Sequence, residues 1–215
     1  MSTGFEQALI YFGCLVVAVI LHEVSHGVAA ALFGDRTAAE AGRLTLNPVP
    51  HIDPFGSLIL PALGAIAGLP VLGWAKPVPV NPSRMRHPRR DSLYVSLAGP
   101  ATNFLLMVVA ALGARALYQS TTGSYRYVED LPLAIRILFS FATVNLFLGL
   151  FNFLPIPPLD GSALIERVLP EHWLPGWYRF RPYGFLVLFL LVFATGFVGR
   201  ILDPFYNQLF DFVFL

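Results

Sequence analysis

The sequence predicts an all-α integral membrane protein with about four transmembrane helices, a re-entrant segment rich in glycine and proline, and a short β-hairpin-like stretch after the first helix. Five or six spans are the alternative. Three observations support this fold class. Of the 215 residues, 56% are hydrophobic and only 13% charged, too little charge to cover a soluble domain of that size. Five windows, 6–33, 55–75, 92–118, 131–154 and 183–202, approach or exceed the ~20 apolar residues that cross a bilayer. One of them, 55–75, is broken by glycines and by Pro61 and Pro70. No polar stretch is long enough for a second domain, so residues 1–215 read as one membrane-embedded unit. The net charge of +1 says nothing about nucleic acid, and no basic run of the required kind exists, so no nucleic-acid partner is expected. Cys14, the single cysteine, leaves neither an internal disulfide nor a thiolate cluster.

The first window lacks the basic start and small-residue exit of a cleaved signal peptide, so we read it as a retained helix. Within it stands "HEVSH", residues 22–26. Positions i and i+4 share a helix face, so His22 and His26 can both turn a ring nitrogen to one ion, as H-E-x-x-H does in zinc proteases. Glu23 then sits beside the ion, placed to take a proton from water that zinc acidifies to a pKa of about 7. The competing reading is a chance match on a solvated helix face. Each ionisable group at bilayer depth costs about 2.5 kcal/mol or more unless paired. Three such groups in five residues therefore demand a partner, and a metal supplies it.

The next element, "GRLTLNP" (42–48), alternates small or polar residues with Leu44 and Leu46, a weak strand signal. A strand edge there suits pairing with an unwound peptide; a plain loop packed on the helices is the equal alternative. In 55–75 the two prolines leave only eight residues uninterrupted. Broken backbone at membrane depth is tolerated when packed in protein or lining a cavity, hence the re-entrant reading. The window 92–118 opens with "SLAGPATN", whose Gly99, Pro100 and Asn103 read as a helix-packing notch with a hydrogen-bonding asparagine in preference to direct chemistry.

After 131–154 comes "NFLPIPPLDG" (152–161), where prolines force the backbone out of regular helix. Its Asp160, taken alone, reads best as the N-cap of a helix at 161–168. The rival reading is a metal ligand, because a catalytic zinc takes three protein ligands and keeps a fourth position open. His87 and His172 lie in solvated or interfacial loops, and His51 beside Asp53 reads as a structural turn histidine. The window 183–202 closes the chain as its last span.

"HEVSH" on one membrane helix, "SLAGPATN" opening a later one and "NFLPIPPLDG" after another resemble the site-2 protease family, the intramembrane metalloproteases of the M50 type. With "GRLTLNPVPHIDPFGSLILP" and "GWAKPVPVNP" the resemblance covers roughly residues 15–165. It points to the compact bacterial branch without a PDZ domain, and so to a single M50 peptidase domain in a bacterial plasma membrane. The resemblance implies that His22, His26 and Asp160 bind Zn2+, that Glu23 is the general base, and that Asn152 lies near the site to orient the substrate or stabilise an oxyanion. It further implies hydrolysis of a peptide bond in or near a transmembrane segment of a membrane-protein substrate, as in regulated intramembrane proteolysis. A metal-binding scaffold without turnover is the first alternative, and an intact Glu23 argues against it. A divalent-metal transporter is the second; carriers often show internal repeats and several acids at depth, which this sequence lacks.

Shared coordination by His26 and Asp160 requires one segment between them not to cross, and 55–75 is the weakest. Residues 34–91 and 155–182 then share a side. That side holds Arg36, Arg43, Lys76, Arg84, Arg86, Arg89, Arg90, Arg167, Arg179 and Arg181, ten of the fourteen basic residues. By the positive-inside rule this side is cytoplasmic, which puts the N-terminus outside and the metal toward the cytoplasm.

Overall fold

Among the described residues of the computed structural model, three helices are long and apolar enough to cross a bilayer: α1 (Thr3–Leu32), α3 (Pro88–Gln119) and α4 (Leu133–Asn152). The structure describes residues 3–59, 75–123, 125 and 127–215. Between α1 and α3 lies the single turn α2 (Thr37–Glu40). After α4 come α5 (Ser162–Val168), α6 (Leu174–Phe180), α7 (Gly184–Thr195) and α8 (Phe197–Phe214).

α1 propagates through an apolar run free of proline and stops at Gly34, whose φ of 107° only glycine adopts without strain. Asp35 N–H donates to Ala30 O at 2.9 Å and Gly34 N–H to Ala31 O at 3.1 Å, the paired bonds of a Schellman cap. The Asp35 carboxylate then accepts from Thr37 N–H (3.0 Å) and Asn81 N–H (2.6 Å), which ties α2 and the segment before α3 beneath the end of α1. α3 starts with Pro88 in its first turn, where the missing N–H costs nothing.

The small residues Ala110, Ala111 and Ala114 let α3 approach Phe139, Ala142 and Leu146 of α4. α1 closes the trio through Cys14 and Ala18 against Val144. At the end remote from the metal motif, Arg136 pairs with Glu6 at 3.1 Å and donates to Gln7 at 3.0 Å.

Two sequence expectations are corrected. Among the described residues there is no strand, so the hairpin-like stretch at 42–48 is a loop. Asn47 N–H donates to Thr45 Oγ1 at 3.1 Å and Val49 N–H to Asn47 Oδ1 at 3.0 Å. These local bonds compete with a ladder for the backbone donors, and Pro48 and Pro50 have none to give. The window 183–202 is not one helix: Gly196, with φ 61°, separates α7 from α8. Instead α8 lies along α3 and α4, burying Leu209 and Val213 in their shared core. Its start meets Leu150, Phe151 and Leu154 through Ile201 and Leu202, and its end sets Phe214 edge-to-face against Tyr118.

Most of the proposed re-entrant segment, residues 60–74, lies outside the described residues. Its entry is a wide π-type turn over Pro54–Ile59. Beyond the segment, Lys76 N–H donates to His51 O at 2.9 Å, so the chain returns to where it departed.

Candidate metal centre

α1 presents His22 and His26 one turn apart with Glu23 next to the first, and the loop after α4 brings Asp160 to the histidines. The Asp160 carboxylate oxygen Oδ2 stands 3.0 Å from His22 Nε2 and 3.3 Å from His26 Nε2, and the two Nε2 atoms are 3.1 Å apart. These three residues form the candidate metal group among the described residues. The loop reaches this position because Gly161 admits a close return. A Cβ there would lie 2.2 Å from Phe153 O, and Gly161 N–H donates to Asn152 O at 2.7 Å.

The opposite face of each imidazole is fixed. His22 Nδ1 meets Asn103 Oδ1 at 2.6 Å, Asn103 Nδ2 donates to Asn145 Oδ1 at 2.8 Å, and Asn145 Nδ2 donates to Phe141 O at 2.8 Å. A backbone carbonyl only accepts, so the polarity of this chain leaves Asn103 Oδ1 as acceptor and His22 Nδ1 as donor. His26 Nδ1 likewise donates to Val95 O at 2.7 Å. Both protons of the neutral rings are thereby placed on Nδ1, and both Nε2 lone pairs face Asp160 Oδ2, a buried oxygen with no hydrogen-bond donor. Three acceptors within 3.3 Å of one another repel unless a cation lies among them.

Tetrahedral ligands about 2.0–2.2 Å from a zinc stand about 3.3 Å from each other, so the spacing fits. A nitrogen, nitrogen, oxygen donor set suits zinc, and three ligands leave a position open for water or substrate.

Gly99 makes the close approach of α3 feasible. A Cβ there would lie 2.5 Å from both His22 Cε1 and His26 Nε2. The notch read from "SLAGPATN" therefore accommodates the two imidazoles, and its Asn103 orients one of them. Glu23 opens into the same cavity, and its Oε2 accepts Val78 N–H at 2.8 Å. That donor sits in an extended strap over 75–80, clamped from behind by Arg43, which donates to Lys76 O at 2.7 Å. Asn152 lines the cavity while its amide donates to Leu148 O at 3.0 Å within its own helix. His51 is apart from the group, bonding Thr45 O at 3.0 Å as a loop staple.

The cavity measures about 910 Å³, with Val19, Leu148, Phe151 and Phe185 as apolar walls around the polar cluster. Asn145, the Val95 carbonyl and the Val78 amide were missed from sequence. Only Asn145 left a signal there, as a polar residue in mid-span that needed a partner.

The Peptidase family M50 model matches residues 126–194. YwhC of Bacillus subtilis, a zinc metalloprotease by its provisional name, is 38% identical over 201 residues, 90% of this chain and 84% of that protein. Rip2 of Mycobacterium tuberculosis, provisionally named in the same way, is 33% identical over 205 residues, 88% of this chain and 73% of its own. The zinc metalloprotease MJ0392 of Methanocaldococcus jannaschii is 21% identical over 164 residues, and this chain matches only 35% of its length. No solved structure matches significantly.

Proposed function

Because the chain belongs to peptidase family M50, it is a zinc metalloprotease of the membrane, and we propose that it cuts a peptide bond in or near a transmembrane segment of another membrane protein. His22, His26 and Asp160 are the residues that would hold the zinc. The observation that carries this assignment is the convergence of three lone-pair atoms whose partner nitrogens are already committed to Asn103 and Val95. When bound, zinc supplies Lewis acidity toward the scissile carbonyl and the attacking water.

Glu23 takes the water proton and returns it to the leaving amine, the general acid–base role. The Val78 N–H keeps its carboxylate at the cavity wall. Asn103, Asn145 and Val95 hold the imidazoles, so the ligands need no rearrangement when substrate enters. The apolar walls exclude bulk water, which strengthens every electrostatic interaction inside. Asn152 lines the cavity near Asp160, and its role is to position the unwound substrate.

The enzyme sits in a bacterial plasma membrane with its N-terminus outside and the site toward the cytoplasm. Segment 55–75 enters and leaves on that side, and α8 runs beside α3 and α4. The bond joining Lys76 to His51 and the partition of basic residues support this topology. To test the assignment, the purified protein is assayed for zinc and for cleavage of membrane-helix peptides. We expect about one zinc per chain, lowered in His22→Ala and Asp160→Ala. Full zinc retention in Asp160→Ala removes that residue from the ligand set.

A further inference from the structure

The cavity does not end at the ligand cluster. Its wall continues along α5 to a second, charged end lined by Arg89, Arg167, Arg181 and a single acid, Glu166. Three cations face one anion of the lining there, with Glu171 a second acid outside it, and the lining anion is already engaged. Glu166 accepts the Tyr178 hydroxyl at 2.7 Å and pairs with Arg181 at 3.6 Å. Arg89 spends Nη2 on the carbonyls that end α5, Glu166 O at 3.0 Å and Leu169 O. Among the described residues its one ion pair is with Glu171 at 3.8 Å, a side chain 89% exposed, and its buried Nε has no acceptor. Arg167 is exposed and makes no side-chain hydrogen bond or ion pair among the described residues. An electropositive end with unspent donors thus shares one cavity with the candidate metal centre.

Resting on the protease reading above, we propose that this end is a specificity subsite for an acidic side chain of the substrate. A guanidinium offers a planar fork of donors that matches a carboxylate. The register follows from the chain itself. Arg167 is seven residues beyond Asp160, nearly all of them along α5, so it stands about 10 Å away at ~1.5 Å per helical residue. An extended peptide covers that span in about three residues at ~3.3 Å each. The acid therefore belongs about three positions from the scissile bond, with the residues between them passing Ser162 and Ala163 of the cavity wall.

Binding is measured on the full chain in neutral detergent with a fluorescent membrane-helix peptide. A single Asp, Asn or Lys is walked through the positions flanking its apolar stretch, and cleavage of each peptide is followed in parallel. At one position we expect Asp to bind about fivefold more tightly than Asn, the effect of one partly exposed charge pair, and Lys more weakly than either. In Arg167→Glu, and separately in Arg181→Glu, the ranking at that position should invert, which misfolding cannot produce. Equal binding of the three peptides at every position overturns the subsite, as does a ranking unchanged in both variants. A ranking that vanishes when phosphatidylglycerol vesicles are added assigns the arginines to lipid phosphate and also overturns it. Cleavage with a flat ranking defeats the subsite alone. A ranking without cleavage of any peptide upholds the subsite and defeats the protease reading.

Discussion

Replacing Asn103 with leucine cuts the relay behind the metal cluster at its middle. Asn103 is fully buried, and the two side chains are close in volume, so the perturbation is chemical more than steric. Two hydrogen bonds go, to His22 at 2.6 Å and to Asn145 at 2.8 Å. They leave the His22 Nδ1–H and Asn145 Oδ1 buried without partners, each costing about 1–3 kcal/mol. The summed loss of stability is about 2–6 kcal/mol, fully expressed only if neither group finds water. Zinc affinity should fall about 10–100-fold, the usual cost of losing the partner that orients a ligating histidine.

The informative control is Asn145→Leu, which leaves Asn103 Nδ2 unpaired but keeps the contact to His22. It should lower the midpoint of thermal unfolding comparably while costing less zinc affinity. Competition against a fluorescent chelator reads the second quantity, and circular dichroism melts in detergent read the first. A zinc affinity of Asn103→Leu equal to that of the wild type would refute the orienting role, whatever the melting shows.

Three further outcomes follow from the geometry. Glu23→Gln keeps size and polarity but removes the base, so zinc content should hold while cleavage falls ~10²–10⁴-fold; near-native turnover removes Glu23 from that role. Gly99→Ala places a methyl 2.5 Å from both imidazoles, so it should lower zinc affinity more than Gly113→Ala, whose nearest neighbour is a flexible leucine methyl at 3.4 Å; equal effects would show that α3 can yield. In a Cys14→Ala background, single cysteines at Thr45 and Ser83 should label from the cytoplasm and one at Gly123 from outside. Thr45 and Ser83 labelling from opposite faces would make 55–75 a true span.

The metal motif was legible because its two histidines are related by helix geometry alone. Asp160 was not, since a carboxylate before Gly-Ser-Ala also suits a helix cap, and only the packing of α4 on α1 and the tight return at Gly161 bring it to the ring nitrogens. The notch at Gly99 and Asn103 was correctly read as a place of close approach, but sequence could not say what approached. Hydropathy placed a span at 183–202 because it is blind to one residue turning left-handed at Gly196. The alternation around Leu44 and Leu46 suggested a strand, and the hydroxyl of Thr45 and amide of Asn47 diverted the backbone instead. Partners supplied by main-chain groups, Val95 O and Val78 N–H, leave no mark on residue identity.

The last of these makes the strap over Glu23 a keyed fitting. In the run Pro77-Val78-Pro79, both neighbours lack an N–H and hold φ near −65°. Val78 is therefore the one residue of the three able to meet the carboxylate. Sliding the strap by a single residue in either direction would offer Glu23 a proline nitrogen and no hydrogen at all. The fit has one register, and the valine side chain is not what sets it. With Lys76 anchored by His51 O and by Arg43, an exchange of Val78 for isoleucine or threonine leaves the key intact, whereas lengthening or shortening the chain by one residue between Lys76 and Val78 would turn the lock, with Glu23 itself unchanged.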